Sequence, residues 1–79
     1  MPSHKTFGEW VSMNMQEMEM TQKEVAKEIA VSQNAISSWV RDYREPSIRN
    51  FIWLCKLIAL KENRKIEDVV LEAIEIFLQ

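Results

Sequence analysis

A single glycine, Gly8, occurs in 79 residues. Tight hairpin turns and phosphate-cradling loops need residues without a β-carbon, so this scarcity excludes a glycine-rich nucleotide loop. It also argues against a β-sandwich built on many turns. Only two prolines, Pro2 and Pro46, interrupt the chain. The expected fold class is all-α, in one domain over residues 1–79. A core of this size seldom supplies more than about 3–5 kcal/mol, which puts such a domain under pressure to gain stability from a partner subunit.

The hydrophobic fraction of 47% and charged fraction of 28% are those of a globular chain, not a disordered one. No apolar run reaches the roughly 18 residues of a membrane span, and the longest candidate, Phe51 to Leu60, is interrupted by Lys56. Met1 to Lys5 leads into a mixed segment with no signal-peptide core. The lone Cys55 excludes an intramolecular disulfide and a cysteine-clustered metal site. A cytoplasmic protein with no membrane, metal or cofactor is expected.

Net charge is −2, but its distribution is uneven. Residues 41–66 hold seven cations against three anions, whereas residues 67–79 hold four anions and no cation. A polyanion responds to a local patch and not to the total, so the middle block is the candidate for nucleic acid. Ordinary mixed surface charge explains it equally well on charge alone.

Caps mark four helix starts. Thr6 with Glu9, and Thr21 with Glu24, have capping-box spacing. Ser32 and Ser47 are further N-caps, each opening an apolar-periodic stretch. The implied helices run over about 7–17, 22–29, 33–40, 48–60 and 66–78. In the second, Val25, Ala26 and Ile29 share a face; in the third, Ile36, Trp39 and Val40 do. Only Ala30, Val31 and Ser32 connect them. So short a connection suits the steep crossing of a helix-turn-helix.

The run from Thr21-Gln22 through Val25-Ala26, Val31-Ser32 and Ile36-Ser37 to Trp39 resembles the helix-turn-helix of the phage Cro and repressor (XRE-like) family. Phe7-Gly8-Glu9 and Pro46-Ser47-Ile48 extend the resemblance, which covers about residues 6–60. It implies a compact five-helix lambda-repressor-like domain that binds double-stranded DNA. Four departures stand out. Ala30 and Asp42 occupy slots where the family favours glycine at positive φ. Met15 and Val40 replace a pair that is often Arg with Glu, an exchange of ion pair for apolar pair that is often neutral or better. Asn14 falls on a usually apolar slot.

By the same resemblance, Gln33, Asn34, Ala35 and Ser38 match the base-reading positions. Their chemistry fits: amides pair with the adenine edge, a hydroxyl serves several bases, and a small methyl approaches thymine. A merely solvated polar face is the alternative when the motif is set aside. Phosphate contacts are expected from Gln22 and Lys23 at the start of the second helix, and from Arg41, Tyr43 and Arg44 after the third. Arg49 and Lys56 are candidates to extend that strip.

The fifth helix carries Ile66, Val69, Val70, Ala73 and Phe77 on one stripe, widened by Leu71, Ile74 and Leu78. Asp68, Glu72 and Glu75 leave only a narrow polar strip. This is more apolar surface than one small core accepts, so residues 65–79 are a candidate dimerisation element. Trp53 on the fourth helix, at a usually polar slot, is expected to join Leu71, Ile74 and Leu78 in a homodimer interface.

No enzyme is expected. His4 sits near the terminus, Cys55 falls on a buried face, and the methionines between 13 and 20 fit core filling around the first helix. The leading expectation is a sequence-specific regulator, a phage-type repressor or Cro-like protein on a palindromic operator. An antitoxin whose last helix holds a toxin partner, and a protein-interaction module without DNA, are the alternatives.

Overall fold

A computed structural model describes residues 5–78; His4 and its neighbours 1–3, and Gln79, lie outside the described residues. The helices are α1 (Phe7–Met18), α2 (Gln22–Glu28), α3 (Gln33–Val40), α4 (Ile48–Glu62) and α5 (Ile66–Phe77). Both capping boxes form. Thr6 Oγ1 accepts from the Glu9 N–H at 3.1 Å, and the Glu9 carboxylate accepts from the Thr6 N–H at 2.9 Å. Thr21 and Glu24 repeat the arrangement. Ser32 caps α3 and Ser47 caps α4 through their hydroxyls, and α5 begins at Lys65 with no side-chain cap.

The first four helices end alike. Glu19, Ala30, Asp42 and Asn63 each adopt φ between 54° and 60°. The next N–H then reaches five residues back: Met20 to Met15, Val31 to Ala26, Tyr43 to Ser38, and Arg64 to Ala59. This closure uses up the last helical carbonyls and normally favours glycine at the left-handed position. None of the four is glycine. Asn63 holds α4 open to Glu62, two residues past the expected end, and Ile29 leaves helical geometry one residue before it.

α1 is the centre of the packing, lying against α3, α4 and α5, while α2 packs on α3 and α4 on α5. Trp10, Val11, Val25, Ile36, Leu54, Cys55, Ile58 and Val69 are fully buried. Desolvation in this core pushes the Cys55 thiol up to about 12. The radius of gyration, 11.7 Å, matches the roughly 11.6 Å expected for a folded chain of this length.

Asn14 keeps the apolar slot expected for it, and two expectations for α5 change. Asn14 is buried despite its polarity, its Nδ2 donating to the Trp10 carbonyl at 2.8 Å, so the amide bends back onto its own helix. The apolar stripe of α5 divides: Val69 and Ala73 enter the core, and Phe77 stacks on Phe7 at 5.1 Å, while Leu71, Ile74 and Leu78 face outward. Glu72 leaves the expected polar strip and turns inward. Its Oε1 accepts from Trp10 Nε1 at 2.9 Å and its Oε2 from Arg64 Nη2 at 3.0 Å. Desolvation would raise the Glu72 pKa, but the Trp10 and Arg64 hydrogen bonds outweigh it and hold it below the usual value. Arg64 also reaches Glu62 at 3.3 Å, whose pKa burial pushes up.

Candidate nucleic-acid interface

Ala30 turns the chain at φ 58°, Val31 packs half-buried against the core, and Ser32 receives the Ala35 N–H at 3.0 Å. This three-residue link sets α3 across α2. The apolar side of α3 is buried at Ile36 and Trp39, with Val40 half-buried beside them. Its opposite side follows from that anchoring. Gln33 and Asn34 are exposed in the first turn, and Ala35, Ser37 and Ser38 are half-exposed along the same surface.

Asn34, Ala35 and Ser38 line one polar groove together with Arg44. Ser32, Ser47 and Asn50 complete its walls, with Glu45 at the rim. Gln33 stands exposed outside this lining. Sequence reasoning found Ser47 only as a cap, and it missed Asn50 altogether. Asn50 reaches the groove because the loop brings the first turn of α4 beside α3 residues, a tertiary relationship with no local signature.

The loop after α3 is tied down at its start. The N–H groups of Tyr43 and Arg44 both point to the Ser38 carbonyl, at 2.9 and 3.4 Å. Tyr43 is 74% exposed, and the Arg41 guanidinium lies 6.0 Å from its ring centroid, at the outer limit of a cation–π contact. Among the described residues, ion pairs engage only Arg64 of the cations. Arg64 is therefore spent within the fold, and the expected basic block is weaker by that charge. Among the described residues, Lys23, Arg41, Arg44 and Arg49 carry no carboxylate partner.

Two of the candidate phosphate positions already have neighbours within the fold. At the start of α2 the capping box already occupies the N–H groups of Thr21 and Glu24, placing the Glu24 carboxylate at that end. Only the Gln22 and Lys23 N–H groups remain there among the described residues. Lys56 is drawn away from the groove, its Nζ sitting 4.6 Å from the Trp53 ring centroid. Arg49 lines a separate recess with Glu28, Ala30 and Trp53.

The four residues expected at a dimer interface are all exposed: Trp53 45%, Leu71 58%, Ile74 39% and Leu78 80%. They do not share one groove. Ile74 lies with Ile48, Phe51, Ile52 and Phe77 between α4 and α5. Trp53 lies on the other flank of α4 with Ile29, Lys56, Leu57 and Leu60. Ile48 and Ile52 are thus the partners Ile74 has, in place of Trp53.

A short capped helix with a buried inner side, a polar outer side and unpaired cations in the following loop defines a helix-turn-helix DNA-binding domain. A family model described as Helix-turn-helix matches residues 13–63, more than half of the chain, and ends before α5. The chain belongs to this family, in its XRE-type, Cro/repressor-like branch, and is a DNA-binding transcription regulator. The family is a regulatory one and not a family of enzymes. No curated protein and no solved structure matches the chain. No helix among the described residues is long and apolar enough to cross a membrane, and no three metal-ligating side chains cluster there.

Proposed function

We propose that the protein is a phage-type repressor or Cro-like regulator, which acts in the cytoplasm as a homodimer and places α3 in the major groove of each half of a palindromic operator. Gln33 and Asn34 read base edges, Ala35 meets a thymine methyl, and Ser38 reaches a base further along. Gln22, Lys23, Arg41, Tyr43 and Arg44 hold the phosphates on either side. The observation that carries this reading is the exposed polar first turn of α3 beside a loop whose arginines have no carboxylate partner among the described residues. One α3 spans too few base pairs to single out a site in a genome, which favours two copies acting together.

The outward Leu71, Ile74 and Leu78 also fit the antitoxin alternative, in which α5 holds a toxin. Selection of random double-stranded DNA by the purified protein at about 150 mM salt separates the readings. The dimeric regulator enriches two symmetric half-sites with centres about 10 bp apart. A folded protein that enriches nothing would defeat it and leave the interaction module or a regulator that needs its partner to bind DNA.

A further inference from the structure

The outward surfaces of α4 and α5 carry matching stripes. On α4, Arg49, Trp53, Lys56 and Leu60 recur at the same spacing as Glu67, Leu71, Ile74 and Leu78 on α5, and all eight are exposed. Each stripe is about 16 Å long, from the helical rise per residue. Their charges are opposite. Every exposed charge on α4 is a cation (Arg49, Lys56, Lys61), and every exposed charge on α5 is an anion (Glu67, Asp68, Glu75). Ile52 and Ile74 line one groove between α4 and α5 within one protomer, so the two outward surfaces adjoin there.

We infer that a second copy of this chain covers this patch by reciprocal pairing, α4 of each protomer against α5 of the other. This rests on the homodimer proposed above and specifies its geometry. An apolar surface of this kind has three ways to meet itself about a twofold axis. Pairing α5 with α5 brings together two surfaces whose exposed charges are all anions, and pairing α4 with α4 two whose exposed charges are all cations. Like charges held together across an interface are strongly unfavourable, whereas the crossed arrangement sets cations against anions twice per dimer. Lys56 is already laid over Trp53, which holds its ammonium on the outward surface. Leu71, Ile74 and Leu78 then cover Trp53, Leu60 and Ile52, so Trp53 takes part in the interface without sharing a groove with Ile74 in its own protomer.

Deleting α5 would remove Val69 and Ala73 from the core, so exposed charges are the positions to vary. Sedimentation equilibrium at low salt and tens of micromolar protein compares the wild type with Lys56→Glu and with the double variant Glu67→Lys/Glu75→Lys, circular dichroism reporting the fold. Each variant alone is expected to weaken dimerisation about tenfold or more. An equimolar mixture of the two recovers the dimer, because each crossed pair in the heterodimer again joins opposite charges. A monomeric wild type would overturn the homodimer itself. A dimeric wild type unaffected by Lys56→Glu would keep the homodimer and overturn the crossed pairing.

Discussion

The Gly8 N–H donates to Asp42 Oδ1 at 2.9 Å, joining the first turn of α1 to the residue that closes α3. A β-carbon on Gly8 would lie 2.2 Å from the Val40 carbonyl oxygen and 2.7 Å from that of Trp39. The chain therefore places its single glycine where two backbones touch. Asp42 supplies a negative charge to a helix N-terminus and takes up one of its free donors.

Gly8→Ala is expected to destabilise the fold by about 2 kcal/mol, the range of overpacking against atoms that cannot retreat. In thermal denaturation this lowers Tm by roughly 8–16 °C. An unchanged Tm would mean that α1 slides away from α3 without cost.

Ala30→Gly should act in the opposite direction. Ala30 is exposed at φ 58°, so its methyl contributes left-handed strain and little packing. Relief of that strain, less the extra freedom glycine has when unfolded, leaves a gain of about 0.5–1 kcal/mol. Urea unfolding measures it as a higher midpoint at constant slope.

Gln33→Ala with Asn34→Ala is expected to remove sequence preference while leaving background binding nearly intact, because each bidentate amide contributes about 1–3 kcal/mol of discrimination. Competition between the selected operator and random DNA is the measurement. Equal losses on both would take base reading away from α3.

Arg41→Ala and Arg44→Ala should weaken operator and random DNA alike. Each lowers the slope of log affinity against log salt by about 1. A change confined to the operator would assign that arginine to a base edge.

Glu72→Gln tests the tie between α5 and α1. The Glu72 pKa is lowered from 4.5, so the stability it contributes is complete above that value and lost as pH falls through the lowered one. Glu62 has the opposite sign: its raised pKa makes the ionised form unfavourable above the raised value, and acid relieves it. The variant should be about 1 kcal/mol less stable near neutral pH, a modest figure because Glu72 is part-exposed. Below pH 4.5 its stability should fall less steeply than that of the wild type, as urea midpoints across the acid range would show.

The five helices were legible because their signals are local. Thr6, Thr21, Ser32 and Ser47 announce the first four starts through a side chain three residues from its partner, and the apolar stripe of α5 marks the fifth. The outer side of α3 was legible for the same reason, since burying Ile36 and Trp39 dictates where Gln33 and Asn34 point. What stayed hidden depends on distant pairs. Glu72 looks like solvent-facing charge until Trp10, 62 residues away, offers its indole N–H. Trp53 and Ile74 look like members of one patch until the packing of α5 puts them on different flanks of α4. Asn50 gains its place only when the chain doubles back after Pro46.

The sealed thiol of Cys55 makes the protein its own reporter of breathing. The thiolate is the form that attacks a thiol reagent, and with the pKa pushed up to about 12 the closed state offers almost none at neutral pH. Modification must therefore wait for an opening that lets water to the sulfur, and its rate in excess reagent counts those openings. A DNA ligand that binds only the closed form slows this labelling, and the slowing measures its affinity.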